Sequence, residues 1–317
     1  MKNIYSNIFK FNNSTLKKAI KYLKKNDVLG IPTETVYGIA GNAYSKNSIK
    51  KIYNIKKRPK INPLIIHYYN FQSALKDIQI NDNFLKLYKK FSPGPITYIL
   101  KKKKNSKISS LATANLNTVA VRFPKHTVVS LLLKNINFPL AMPSANKSTE
   151  ISPVDVNDVR EEFNKKLKMI IDGGRSKIGV ESTVVDLTGK VTILRPGFIS
   201  DIQIGKVLKK KISISSKTKF IKSPGNLKRH YSPGIPIKLN QVLPVKNFAY
   251  ITFGKKFKSS KDIFNLSYKS SLNEFARKLY KTFRKIKKLK YKKIYICKIP
   301  NKGIGIAIND RLTRAAK

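Results

Sequence analysis

Apolar and polar positions along the first two thirds of this chain alternate between two periods, one suited to helices and one to strands. Leu16, Ala19, Ile20 and Leu23 fall on one face of a helix that Ser14 is placed to cap. "VLGIPTETVYGIA" then reads as a short strand running into a Thr/Gly-rich loop. Strand-like runs follow at 64–68, 96–100, 118–123, 140–142, 169–171, 182–187 and 191–194, with helical patterns near 46–57, 83–90, 126–134 and 155–163. This mixture predicts an α/β or α+β unit over residues 1–205.

From 206 to 240 the pattern degrades into Ser, Lys, Pro and Gly, which predicts a linker. Beyond it, 249–253 and 293–297 read as strands. Between them Leu272, Phe275, Ala276, Leu279, Tyr280, Phe283 and Ile286 make an amphipathic helical stripe, and "NDRLTRAAK" a closing helix. Residues 241–317 therefore predict a small Rossmann-like unit. Neither GxGxxG nor GxxxxGK[ST] occurs, so neither standard phosphate loop is present.

Composition narrows the class. At 317 residues with 41% hydrophobic and 10% aromatic side chains, the chain suits a folded protein. No apolar run approaches the ~18–20 residues a membrane helix needs, and residues 1–25 lack the apolar core of a signal peptide. A cytoplasmic protein is expected. The single cysteine, Cys297, excludes an internal disulfide and a cysteine-rich metal site. Sixty-six Lys+Arg against 16 Asp+Glu leave a formal +50. Such charge fits contact with nucleic acid. Lysines spread from end to end, with abundant Ile and Asn, equally fit the drift of an AT-biased genome.

Six segments carry candidate chemistry: "PTETVYG" (32–38), "KKRPKINPLIIH" (56–67), "TVAVRFP" (118–124), "MPSANKSTEISP" (142–153), "GVESTVVDLTGKVTILRPG" (179–197) and, within the linker, "SPGNLKRHYSP" (223–233). The first five place small hydroxyl or charged residues at strand ends, where ligand sites in α/β sheets gather. Singly, each has a structural reading. Arg58 suits a helix C-terminus, His67 a half-buried strand, "SAN" an N-cap or Asx-turn, and Thr33 and Thr35 a turn.

Taken in order, PTETVYG, KxRPxxNPLxxH, TVAVRxP, PSAN, GVEST, LRPG and PGxxxRHYxP strongly resemble the L-threonylcarbamoyladenylate synthase family. The match is to its long form, a YrdC-like mixed-sheet catalytic domain (1–205) followed by a linker or lid (206–240) and a small Rossmann-like C-terminal domain (241–317). The resemblance covers about residues 12–236 and resumes at "GIGIAINDRLTRAAK" (303–317). It implies condensation of L-threonine, bicarbonate and ATP into threonylcarbamoyl-AMP with release of pyrophosphate. A downstream tRNA threonylcarbamoyl-transferase would then use the product to modify tRNAs that read ANN codons.

By the same resemblance Lys56, Arg58, Ser144 and Asn146 form the catalytic set. ATP would meet Arg58, Asn62, Thr118, Ser144, Ser152, Arg195 and Tyr231, and threonine would meet Thr35, His67, Arg122, Met142 and Ser182. Met142 departs from the family, which usually has a small residue there. Mg²⁺ is expected with ATP, held by phosphate oxygens and water, with no protein metal ligand named. Glu34 and Glu181 read equally as metal or amine contacts and as ion-pair partners. The rival is a non-enzymatic protein holding tRNA or rRNA on a basic YrdC-like surface. A hydrogenase-maturation carbamoyl-transfer domain is nearer in kind, but would be expected with fused acylphosphatase or zinc-finger segments, and the single cysteine excludes the zinc finger.

Overall fold

The computed structural model describes residues 7–163, 166–215 and 230–317. Among these the first unit contains β1 (Ile8–Lys10), α1 (Asn13–Lys24), β2 (Leu29–Ile31), β3 (Gly38–Asn42), α2 (Lys46–Lys56) and β4 (Ile65–His67). The chain continues through α3 (Phe71–Ala74), α4 (Asp82–Phe91), β5 (Ile96–Lys101), β6 (Thr118–Arg122), α5 (Thr127–Lys134) and β7 (Leu140–Ala141). Then come α6 (Val156–Phe163), β8 (Ile170–Asp172), β9 (Thr183–Asp186), β10 (Thr192–Arg195), α7 (Asp201–Leu208) and β11 (Ser213–Ile214). The strands form one mixed sheet in the order β1-β8-β2-β3-β7-β4-β6-β5-β9-β10-β11. β4 is parallel to β6 with His67 opposite Arg122, so both side chains stand on one face at neighbouring strand ends.

The second unit is β12 (Ile237–Lys238), β13 (Ala249–Thr252), β14 (Ile263–Asn265), α8 (Leu272–Lys288), β15 (Ile294–Ile296) and α9 (Ile304–Ala315). Its four strands pair in parallel in the order β12-β15-β13-β14. The stripe read on α8 is its buried face: Phe275, Ala276, Leu279, Tyr280, Phe283 and Ile286 are all inaccessible to solvent.

Several local readings shift. The cap of α1 is Asn12, whose Oδ1 accepts from Thr15 N at 2.8 Å; Ser14 lies inside the first turn. β3 was hidden in what read as a Gly-rich loop. It exists because β2 and β7 pair on either side of it, and its glycines admit close neighbours. A Cβ on Gly41 would stand 2.4 Å from Ser48 Oγ of α2. α7 was missed because it buries only Ile204 and is held by a capping box between Ser200 and Gln203. β11 pairs in parallel with β10, keeping the chain with the larger sheet to Ile214. Residues 216–229 of the expected linker, including most of its Pro/Gly/Arg motif, lie outside the described residues.

The two units meet along α8, whose lysines and arginines face the acidic helix α6. Lys281 pairs with Asp155 at 2.5 Å and Asp158 at 3.1 Å, Arg284 with Asp158 at 3.6 Å, and Lys288 with Glu161 at 2.5 Å. The Lys288–Glu161 pair is exposed and worth ~0–1 kcal/mol, whereas the Asp158 side chain is 2% exposed and its pairing matters more. At Gly179 the loop before β9 runs against α8 with φ +85°, and a Cβ there would lie 2.6 Å from Arg277 Cα. Backbone can retreat from neither side. Gly179→Ala is therefore expected to destabilise the protein by about 2–3 kcal/mol, read as a lower denaturant midpoint with secondary structure retained.

Candidate active site

α2 ends at Lys56, and Lys57 turns the chain in the left-handed conformation, φ 49°. This reversal buries Lys56 and Arg58 on either side of an exposed Lys57. Lys56 Nζ donates to the Ser144 carbonyl at 2.6 Å and to the Asn146 carbonyl, tying α2 to the 144–146 turn. Arg58 Nε donates to the Asn62 carbonyl at 3.1 Å, and its Nη2 to Asn62 Oδ1 and, at 3.0 Å, to the Pro63 carbonyl. "KKRPKINPLIIH" is thus both a helix-to-strand junction and a cluster of buried cations.

One cavity gathers Thr35, Arg58, His67, Arg122, Ser144 and Arg195. Met142 and Tyr231 also line it, as does Glu181. Arg195, closing β10, donates from Nε and Nη2 to the carbonyl and Oγ of Ser182, each at 3.1 Å. Ser182 Oγ also shares a hydrogen bond with Thr97 Oγ1 at 2.8 Å. Among the described residues neither Arg58 nor Arg195 forms an ion pair; their acceptors are neutral carbonyl, amide and hydroxyl oxygens. Arg122 differs. It pairs with Glu34 at 2.8 Å, and its Nη2 donates to Thr35 Oγ1 at 2.9 Å, while its buried Nε has no hydrogen-bond partner among the described residues.

Lys56, Asn62, Asn146, Ser152, Ser182 and Thr118 are not among the residues that line the cavity. Asn146 donates to the carbonyls of Lys147 at 2.7 Å and Glu150 at 2.8 Å, shaping its own loop. Ser152 Oγ donates to Glu181 Oε1 at 2.5 Å. Asn62 is fully buried and its Nδ2 has no partner among the described residues; the same holds for the Oη of Tyr231, 1% exposed and part of the lining. Thr118 is not brought to the cavity lining: it opens β6 opposite Lys101, four residues or about 13 Å upstream of Arg122. The Met142 side chain packs where a Cβ on Gly38 would sit, 2.4 Å from its Cγ, so its bulk is met by a glycine across the turn.

Burial governs the ionisation here. It pushes Lys56 well below the usual lysine value, with Arg58 adding to the effect. It lowers Arg58 to about 10, and lowers Arg195. His67 is held well below 6.5 by burial and then by Arg122. Burial also pushes His230 down to about 3, and Arg58, Lys56 and Arg195 add to this against the pull of Glu181. Burial raises the Glu181 carboxyl, but Arg311, Arg195 and the Ser152 hydroxyl outweigh it and leave the group below its usual range. Glu34 and Glu181 are both ion-pair partners, of Arg122 and Arg311. Among the described residues no group of three or more His, Cys, Asp or Glu is arranged to hold a metal.

The sequence reading missed His230, which lines the cavity beside Tyr231 although the "RHY" triplet displayed it. It also missed Arg311 and Tyr280, whose hydrogen bonds to Glu181 cross from the second unit. Tyr280 was read only as part of the α8 stripe, and Arg311 lies in the closing segment 303–317 that resembles the family, a signal that gave it no role.

A mixed α/β sheet carrying buried arginines, a histidine and hydroxyls around one cavity defines a protein built to hold an anionic ligand. Residues 21–197 match the family model Sua5_yciO_yrdC, described as "Telomere recombination", and residues 199–317 match "Threonylcarbamoyl-AMP synthase, C-terminal domain". The threonylcarbamoyl-AMP synthase of Pyrococcus abyssi is 34% identical over 95% of this chain and 94% of its own length. That of Bacillus subtilis is 32% identical over 96% and 94%. The crystal structure of P. abyssi Sua5 complexed with L-threonine superposes with a TM-score of 0.89 at 31% identity, covering 98% of this chain and 97% of that one. The chain belongs to the threonylcarbamoyl-AMP synthase family, and is an enzyme. The reading as a non-enzymatic RNA binder is not favoured.

Two histidines buried uncharged set a pH dependence. His67 and His230 have folded values below the free 6.5. Their contribution to stability is therefore complete above about pH 6.5 and lost as pH falls toward the folded value, near 3 for His230. Each histidine adds a slope of up to about 1.4 kcal/mol per pH unit within its window. Denaturant unfolding between pH 7 and 4 should show this loss, and His230→Gln should flatten it.

Proposed function

We propose that this chain synthesises L-threonylcarbamoyl-AMP from L-threonine, bicarbonate and ATP, releasing pyrophosphate. The carrying observation is the pair Arg58 and Arg195, buried at one cavity with only neutral acceptors among the described residues. Two guanidiniums so placed are costly unless an anion docks between them. A nucleotide triphosphate is the substrate that uses both, since each offers a planar fork to phosphate oxygens. The donors on Asn62 and Tyr231 that have no partner among the described residues supply further contacts on the nucleotide side; the family motif also assigns Ser144, Ser152 and Thr118 there, although Ser152 and Thr118 stand outside the lining.

Threonine is assigned to the side of Thr35, His67, Arg122, Met142 and Ser182. Arg122 Nε is available for the α-carboxylate, with Glu34 holding the guanidinium in place. The uncharged His67 adds no repulsion against Arg122. Met142 forms an apolar wall beside Gly38.

In the reaction the threonine amine adds to bicarbonate carbon with loss of water, giving a carbamate. A carbamate oxygen then attacks the α-phosphorus of ATP, the bond to the β-phosphate oxygen breaks, and pyrophosphate leaves. The class is nucleotidyl transfer. Charge develops on phosphate oxygens, and preorganised buried cations stabilise it without reorganisation. Lys56 and Asn146 act by fixing the 144–146 turn. Burial of the polar set keeps water from a carbamate that hydrolyses readily.

Mg²⁺ would travel on the phosphates, because the cavity's carboxylates are committed to arginines and the described residues supply no metal cluster. No step is assigned to it. The domain reading extends the same proposal with its boundaries moved: the catalytic unit expected over 1–205 runs on through β11 to Ile214, and the C-terminal unit expected from 241 starts with β12 at Ile237. The product would pass to a tRNA threonylcarbamoyl-transferase in the cytoplasm; among the described residues no helix is long and apolar enough to cross a membrane.

Purified protein given ATP, Mg²⁺ and bicarbonate should release pyrophosphate only when L-threonine is added. Arg58→Ala should lower that release by about 10²–10³-fold. Release indifferent to threonine would sink the proposal.

A further inference from the structure

Arg311 belongs to α9, the last helix of the C-terminal unit, and does not line the cavity. Its side chain is nonetheless fully buried, the largest in that state among the described residues. Nε donates to Glu181 Oε2 at 3.0 Å, and Nη1 donates to the Pro196 carbonyl at 2.7 Å and to Asp310 Oδ2 at 2.8 Å. The guanidinium carbon stands 5.1 Å from the Tyr231 ring centre. Each of the three catalytic-side contacts adjoins a residue assigned to the nucleotide. Glu181 accepts from Ser152, Pro196 follows Arg195, and Tyr231 lines the cavity.

We propose that Arg311 is the positioning residue by which the C-terminal unit sets the nucleotide side of the cleft, holding the Glu181 carboxylate, the Pro196 carbonyl and the Tyr231 ring in one arrangement. The inference rests on the nucleotide assignment above. Three features separate this role from plain domain cohesion. A buried ion pair is weak evidence for stability, and apolar side chains would join two units at least as well. Cohesion is already supplied by α8 on α6 through Lys281, Arg284 and Asp158. Tyr231 sits at φ +65°, a conformation uncommon for an aromatic residue, and needs its surroundings to hold it. Arg311 on one ring, with Tyr280 stacked 6.0 Å away at 17°, supplies those surroundings from the C-terminal unit.

Lysine keeps the charge but has no fork, so Arg311→Lys can satisfy Glu181 without also reaching Pro196 and covering Tyr231. The experiment compares full-length wild type, Arg311→Lys and Arg311→Gln by steady-state pyrophosphate release and by direct titration with ATP, with folding checked by circular dichroism. Asp158→Asn serves as the control that loosens the interface away from the clamp. Arg311→Lys is expected to raise KM for ATP and weaken ATP binding about tenfold or more, with KM for threonine moving less than about threefold. Asp158→Asn should lower stability and leave KM for ATP unchanged. Equal shifts in both KM values, unchanged ATP affinity in Arg311→Lys, or an equal ATP defect in Asp158→Asn would each overturn the positioning role. Wild type that binds ATP in an Arg311-dependent way yet releases no threonine-dependent pyrophosphate would support the clamp and overturn the functional reading instead.

Discussion

The Glu181 carboxylate receives donors from three parts of the chain: Ser152 from the catalytic unit, and Tyr280 and Arg311 from two helices of the C-terminal unit. A carboxylate 5% exposed is tolerable only when its oxygens are satisfied in this way. Satisfying them brings the two sheets to one point, in the lining of the cavity. The loop that carries Glu181 also carries Gly179, pressed against α8, and Ser182, held by Arg195. Cleft geometry and domain docking therefore share the same few residues.

The distribution of negative charge follows from that arrangement. With 16 acidic residues against 66 basic ones, an acid left on the surface changes little. Four of them, Asp155, Asp158, Glu161 and Glu162, stand on or beside α6, and three pair closely with α8. Glu34 and Glu181 hold Arg122 and Arg311. Two of the buried cations, Arg122 and Arg311, thus have a carboxylate partner. Among the described residues Lys56, Arg58 and Arg195 have only neutral acceptors, and of these Arg58 and Arg195 line the cavity, where the proposed anionic substrate would supply the missing charge.

What the chain determined locally was legible in its sequence. The α8 stripe, most strands of the larger sheet and α4, α5 and α6 follow from periodicity, because facing is set within a few residues. The site segments were legible as motifs, and most of their residues do meet around or just behind one cavity. Local rules failed where pairing partners decide. β3 is a strand because β2 and β7 flank it, and α7 is a helix through its cap with little apolar stripe to announce it.

Which cations face a substrate and which are neutralised could be decided only in three dimensions. Arg122 and Arg195 look alike in sequence, each ending a β-strand, yet one meets Glu34 and the other only serine and backbone oxygens. Arg311 looks like any helix-surface arginine and is the most deeply enclosed charge in the second unit. Contacts such as Glu181 to Arg311 span 130 residues. No short-range pattern encodes them, because their energy depends on desolvation that exists only after both sheets have formed and docked.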